Sequence, residues 1–147
     1  MIRFSTLPAL VVASMAVASP ALAATVRLEG HFTAEHGATS HPDGTVRAAL
    51  NTRTNLVRYT ITWTGLSGPV VAAHFHGPAP VGEEAGVLVP IPAPYKSGQH
   101  GAVLLSSEQA RALQDGQIYV NLHTAALPNG EARAQLAPVT PAGAKPR

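Results

Sequence analysis

The chain has 147 residues, 46% of them hydrophobic and 12% charged, with a formal charge of +2, no cysteine and seven histidines. That length suits one domain, and ample apolar content with few charges excludes a disordered chain. The small, scattered charge excludes a nucleic-acid groove, and the lack of cysteine excludes disulfides, thiolate metal sites, iron–sulfur clusters and thiol catalysis, which leaves imidazole as the main chemical resource.

Residues 1–23 combine an early positive charge at Arg3, an apolar run from Leu7 to Val17 and a small-residue ending, Pro20-Ala21-Leu22-Ala23. These are the parts of a secretory signal peptide cleaved after Ala23. The apolar run is too short for a span of ~20 residues. The expectation is a periplasmic or secreted protein with no membrane span after cleavage. Its domain occupies residues 24–137 and a flexible tail residues 138–147.

Period-two alternation dominates the domain, the mark of half-buried antiparallel strands. Val26, Leu28 and Phe32 alternate with Arg27, Glu29 and His31; Val46, Ala48 and Leu50 alternate with Thr45, Arg47 and Ala49. After the polar connection Asn51–Asn55, Val57, Tyr59, Ile61 and Trp63 form the apolar face of a third strand. Tyr59 and Trp63 are expected in the core. A turn over Gly65–Pro69 leads to a strand from Val70 to His76. Prolines 78, 80, 90, 92 and 94 forbid a regular central strand between Gly77 and Gly98, so this segment reads as a surface loop with a short edge strand at Gly86–Val89. A strand near Ala102–Leu105 precedes a helix over Ser107–Asp115, with Ser106 and Gln109 in capping-box spacing and Gly116 at its end. Strands follow at Gln117–Thr124 and Gly130–Leu136. The fold class is all-β, an antiparallel Greek-key sandwich or barrel of seven or eight strands with one short helix.

The informative hexapeptide is Ala72-Ala73-His74-Phe75-His76-Gly77. Residues two apart on a strand share a face, so His74 and His76 project together while Phe75 enters the core. Paired neutral imidazoles suit zinc or copper, although two exposed histidines can also pack around a polar partner. His123 shares a face with Asn121 and Tyr119. A turn centred near Leu127 would set His123 opposite Glu131 and Asn121 opposite Arg133. A carboxylate there can orient the imidazole, act as a ligand, or simply brace the hairpin. His100, between Gly98 and Gly101, is a further candidate for a shared site. His31 reads as an exposed strand residue, and His36 and His41 as solvated loop residues. Glu83-Glu84 reads as a solvated tip. Paired catalytic carboxylates, a nucleophile elbow, a phosphate loop and a dinucleotide fingerprint are all missing.

Residues 25–136 resemble the CHRD domain family, named from chordin. The resemblance is carried by Leu66-Ser67-Gly68, by Ala73-His74-Phe75-His76-Gly77-Pro78-Ala79 and by Gly116-Gln117-Ile118-Tyr119-Val120-Asn121-Leu122-His123-Thr124. The ending Pro128-Asn129-Gly130-Glu131-Ala132-Arg133-Ala134-Gln135-Leu136 is similar to the family's Gly-Glu-Ile-Arg-Gly-Gln pattern, with Ala132 and Ala134 in place of Ile and Gly. The resemblance implies an exported β-sandwich module without an agreed activity. Its animal members accompany growth-factor-binding proteins, a partner that nothing in this sequence supports. His74 and His76 also resemble the strand histidines of copper/zinc superoxide dismutases, but the disulfide cysteines and the full ligand set of that family are missing.

The functional expectation is a non-catalytic exported protein that binds copper or zinc through His74, His76 and His123. Glu131, His100, Asn121 and Arg133 are further ligands or neighbours of that site. The alternatives are a metal-free envelope or extracellular interaction module, and a copper-dependent redox enzyme resembling superoxide dismutase. The protein partner is left open.

Overall fold

The computed structural model describes residues 24–139, so the expected signal peptide and residues 140–147 lie outside the described residues. The elements in chain order are β1 (Thr25–Ala34), β2 (Asp43–Asn51), β3 (Leu56–Thr64), β4 (Val70–His76), β5 (Val87–Pro90), β6 (Gln99–Leu104), α1 (Ser107–Gln114), β7 (Tyr119–Thr124), β8 (Ala132–Gln135) and β9 (Ala137–Pro138). Eight antiparallel strands run in the order β5-β4-β7-β8-β1-β2-β3-β6, a sheet nearly closed as a barrel.

The alternation in the sequence produces this sheet directly. In β3, Val57, Tyr59 and Ile61 are buried while Arg58, Thr60 and Thr62 are exposed. Register pairs Val46 with Ile61 and Leu50 with Val57, so core residues meet core residues across the ladder. In the β2–β3 connection the Asn51 side-chain oxygen accepts from the N–H groups of Arg53 and Thr54. Asn55 takes the left-handed φ of 57° that asparagine tolerates. The core fills the space between the strands with Leu28, Leu50, Ile61, Phe75, Val120 and Leu122. Each contributes roughly 1.5–3 kcal/mol by leaving water.

Strands β8 and β9 follow one register along β1 and are interrupted where Gly30 faces Leu136. A Cβ at Gly30 would collide with the Gln135 carbonyl, which is why β1 carries glycine there. Leu136 leaves the β1 ladder and donates to the Ile118 carbonyl. The pairing continues past residue 137, since Ala137–Pro138 lie on β1 and the Val139 N–H donates to the Arg27 carbonyl.

Helix α1 has the expected capping box: Ser106 Oγ accepts from the Gln109 N–H, and Gln109 Oε1 accepts from the Ser106 N–H. Ala110 and Leu113 face inward. Several details differ from expectation, and β7 and β8 are shorter than the expected 117–124 and 130–136. Strand β6 starts at Gln99, because pairing with β3 extends to Ile61 through residues whose glycines hide the alternation. Strand β5 is shifted to Val87–Pro90, and the proline-rich segment is not all surface: Ala79 and Ile91 are buried. Trp63 is only partly buried, whereas Tyr59 is in the core, edge-on to Phe75.

Candidate metal centre

The β4–β7 pairing builds the site. Ala73 and Phe75 of β4 face Leu122 and Val120 of β7 in the core, so the intervening residues occupy the outer face. There His76 pairs with Tyr119, His74 with Asn121 and Ala72 with His123. The register is continuous from Ala72–His123 to His76–Tyr119, so His74 and His123 are diagonal neighbours on this face. One ring nitrogen from each of His74, His76 and His123 lies within 4.8 Å of the others. Ring centroids are 4.9 Å apart for His74–His123, 5.6 Å for His74–His76 and 6.2 Å for His76–His123.

Main-chain carbonyls set the tautomers. His76 Nδ1 lies 2.9 Å from the Ala85 carbonyl, and His123 Nδ1 lies 2.9 Å from the Pro128 carbonyl. A carbonyl can only accept, so each Nδ1 carries the proton and donates it. Each Nε2 is then the acceptor nitrogen of its ring. His123 Nε2 meets His74 Nδ1 at 3.0 Å. His76 Nε2 is buried without a hydrogen-bond partner. A buried polar atom in this state costs about 1–3 kcal/mol, so its persistence calls for a reason. Burial, then the neighbouring His123 and His76, hold the His74 imidazole below its ordinary pKa and favour its neutral form.

Surrounding groups hold these rings in place. The His76 ring stacks on Tyr119 with centroids 5.0 Å apart, and the Arg133 guanidinium from β8 lies 3.6 Å from the Tyr119 centroid. The Ala85 N–H donates to the Tyr119 hydroxyl at 3.1 Å, which ties the proline-rich segment over the site. Arg133 is buried and donates to the carbonyls of Pro80 and Glu83, to Gln135 and to Glu35. Asn121 donates to Glu35 as well. Gly130 adopts φ 119° directly against the Asn121 side chain, where a Cβ would collide with it.

The other residues singled out in the sequence have different positions. Glu131 stands at the register position opposite His123, yet its carboxylate turns away from the imidazoles. It accepts from the Ser67 N–H and Ser67 hydroxyl at 2.6 Å each, and from the Thr124 hydroxyl at 2.5 Å. Burial alone would raise its pKa, but the facing Ser40 hydroxyl and the hydrogen bonds from Ser67 and Thr124 prevail and bring it to about 2. His100 sits on β6 opposite Thr60, exposed and outside the histidine cluster. Asn121 and Arg133 face each other across β7 and β8 as expected, and they flank the trio without joining it.

His36, expected as a solvated loop residue, is exposed in its loop and also forms a bridge. Its Nδ1 lies 3.0 Å from the Gly130 carbonyl and its Nε2 lies 2.7 Å from Glu84 Oε1. Glu84, read as a solvated tip, is exposed but paired. Glu35 and the carbonyls of Ala85 and Pro128 escaped the sequence reading. Carbonyl groups carry no side-chain signature, and the strand pattern that exposed the histidines ends before Glu35.

Among the described residues no helix is long and apolar enough to cross a membrane. No curated protein and no solved structure matches the chain. A family model described as the CHRD domain matches residues 24–136. With the match running from β1 through β8 and including every residue of the histidine cluster, the chain belongs to the CHRD domain family.

Proposed function

We propose that this CHRD protein binds a copper or zinc ion through His74, His76 and His123, in an exported, non-catalytic role. The observation that carries this reading is the buried, unpartnered Nε2 of His76 beside two further imidazole nitrogens. Nitrogen donors of this kind suit copper and zinc rather than calcium or magnesium. The Ala85 and Pro128 carbonyls support it, because they take the Nδ1 protons of two rings and leave Nε2 as the nitrogen available to an ion. Export rests on the leader-like composition of residues 1–23.

One observation favours a second reading, a metal-free interaction module: the His74–His123 hydrogen bond already satisfies two of the three nitrogens. The two readings separate in one experiment. Metal-free protein is titrated with Cu(I), Cu(II) and Zn(II), and the titration is repeated on the His74→Ala/His76→Ala double variant. Tight one-to-one binding that is lost in the variant supports the metal site. Equal affinities in both proteins would place binding elsewhere and favour the module.

A further inference from the structure

We propose that the histidine trio is selective for copper(I) over divalent ions. This rests on the metal-binding reading and sharpens it to one ion. The cluster contains three imidazoles and no carboxylate. The groups that orient those imidazoles are neutral too, being the main-chain carbonyls of Ala85 and Pro128. Three carboxylates in the surrounding loops are committed to other partners, Glu131 to Ser67 and Thr124, Glu35 to Asn121 and Arg133, and Glu84 to His36, while Glu83 is exposed to solvent.

An ion entering this site therefore loses water without gaining a negative ligand. Desolvation cost grows with the square of the charge, so a divalent ion meets about four times the penalty of a monovalent ion of equal size. A nearby charged pair, Arg133 with Glu35, is neutralised internally and adds no net negative field at the trio. Arg133 is separated from His76 only by the Tyr119 ring, with 3.6 Å between guanidinium and ring centroid and 5.0 Å between the two rings. Zinc also prefers four donors, commonly with anionic groups in or behind the ligand set. The trio offers three, all neutral. Copper(I) carries half the charge and accepts a low number of neutral nitrogen donors.

The test is anaerobic competition between the purified protein and bathocuproine disulfonate for Cu(I), with parallel chelator competitions for Cu(II) and Zn(II). The expected result is Cu(I) affinity at least about 100-fold above that for Zn(II). Each tenfold preference for Cu(I) over Cu(II) should raise the site's reduction potential by about 59 mV. Zn(II) affinity equal to or above that of Cu(I) overturns the selectivity while leaving the trio a metal site. Failure of all three ions to bind overturns both. A His74→Glu variant, checked for folding by circular dichroism, supplies the missing negative charge and should narrow the Cu(I)-over-Zn(II) ratio by at least about tenfold. An unchanged ratio in folded variant protein would overturn the charge argument, and the wild-type ratio decides the matter if that variant does not fold.

Discussion

Two buried polar clusters lie side by side on β7 and the chain around it, and they are built on opposite plans. The Glu131 carboxylate is fully buried, and its oxygens accept from a backbone N–H and two hydroxyls. The histidine cluster stops short of that completeness, with His76 Nε2 buried and unpartnered. A saturated cluster holds loops together, while an unsaturated one leaves donor capacity for something else. Glu131 joins the turn after β3 to the β7–β8 hairpin, so it acts within the fold. His76 and His123 give their Nδ1 protons to the backbone, His74 Nδ1 meets His123 Nε2, and the His76 Nε2 lone pair stays in reserve, so the trio is suited to a ligand.

If that contrast holds, the largest loss of stability should come from the saturated side. Glu131→Ala strands the Ser67 N–H and two hydroxyls in a buried space. Unfolding by denaturant should show a loss of about 3 kcal/mol, with a fall in Tm of roughly 10 °C. A change below about 1 kcal/mol would mean that water replaces the carboxylate and that the cluster is not structural.

The second prediction follows from linkage. Glu131 has its pKa lowered from 4.5 to about 2 in the folded protein. Its ionised form therefore stabilises the fold fully above about pH 4.5, and that contribution disappears as pH falls toward 2. The shift corresponds to about 3 kcal/mol at most. Comparing the wild type with Glu131→Gln across this range should show a stability gap that is wide at pH 6 and narrows below pH 4.5. A gap independent of pH would remove the carboxylate's charge from the explanation.

On the unsaturated side the expected stability change is smaller. His76→Phe keeps a ring against Tyr119 and deletes the orphaned nitrogen, while the Tyr119 hydroxyl remains within 3.3 Å of the Ala85 carbonyl. Metal-free stability should change by less than about 1 kcal/mol. Copper affinity should nevertheless drop by at least about 100-fold. Loss of stability and binding together would merge the two clusters into one structural unit.

Much of this contrast was legible in the chain, and the reason is geometric. His74, Phe75 and His76 alternate on one strand, and period two alone assigns the histidines to one face and the phenylalanine to the other. The register Asn121–Arg133 followed from the turn length. What alternation cannot convey is what covers a face. All six residues of β7 are buried, including Tyr119, Asn121 and His123, because the loops around Glu35 and Ala85 close over a side that reads as polar and open. The same limit misdirected Glu131: register sets its Cα opposite His123, but the hydroxyls of Ser67 and Thr124, distant in sequence and on the neighbouring strand, decide where the carboxylate goes.

The smallest expected effect lies between the two clusters, at His36. This residue connects Glu84, adjacent to the Ala85 carbonyl that orients His76, with Gly130, two residues beyond the Pro128 carbonyl that orients His123. Its pKa is raised from 6.5, chiefly by the Glu84 hydrogen bond, against burial and with help from the Gly130 carbonyl and the Glu35 and Glu84 charges. A raised histidine pKa stabilises the fold fully below the unfolded value of 6.5, and that stability fades as pH rises through the folded value. Glu84 is exposed, so solvent screening keeps the pair below about 1 kcal/mol. Denaturant unfolding of the wild type and of His36→Gln at pH 5.5 and pH 8.5 should therefore show a small gap at the lower pH that closes at the higher one. The direction separates this bridge from Glu131, whose contribution grows as pH rises through the acid range. A gap that widened toward pH 8.5 would mean that His36 acts as a neutral spacer, with no role for its charge in joining the two loops.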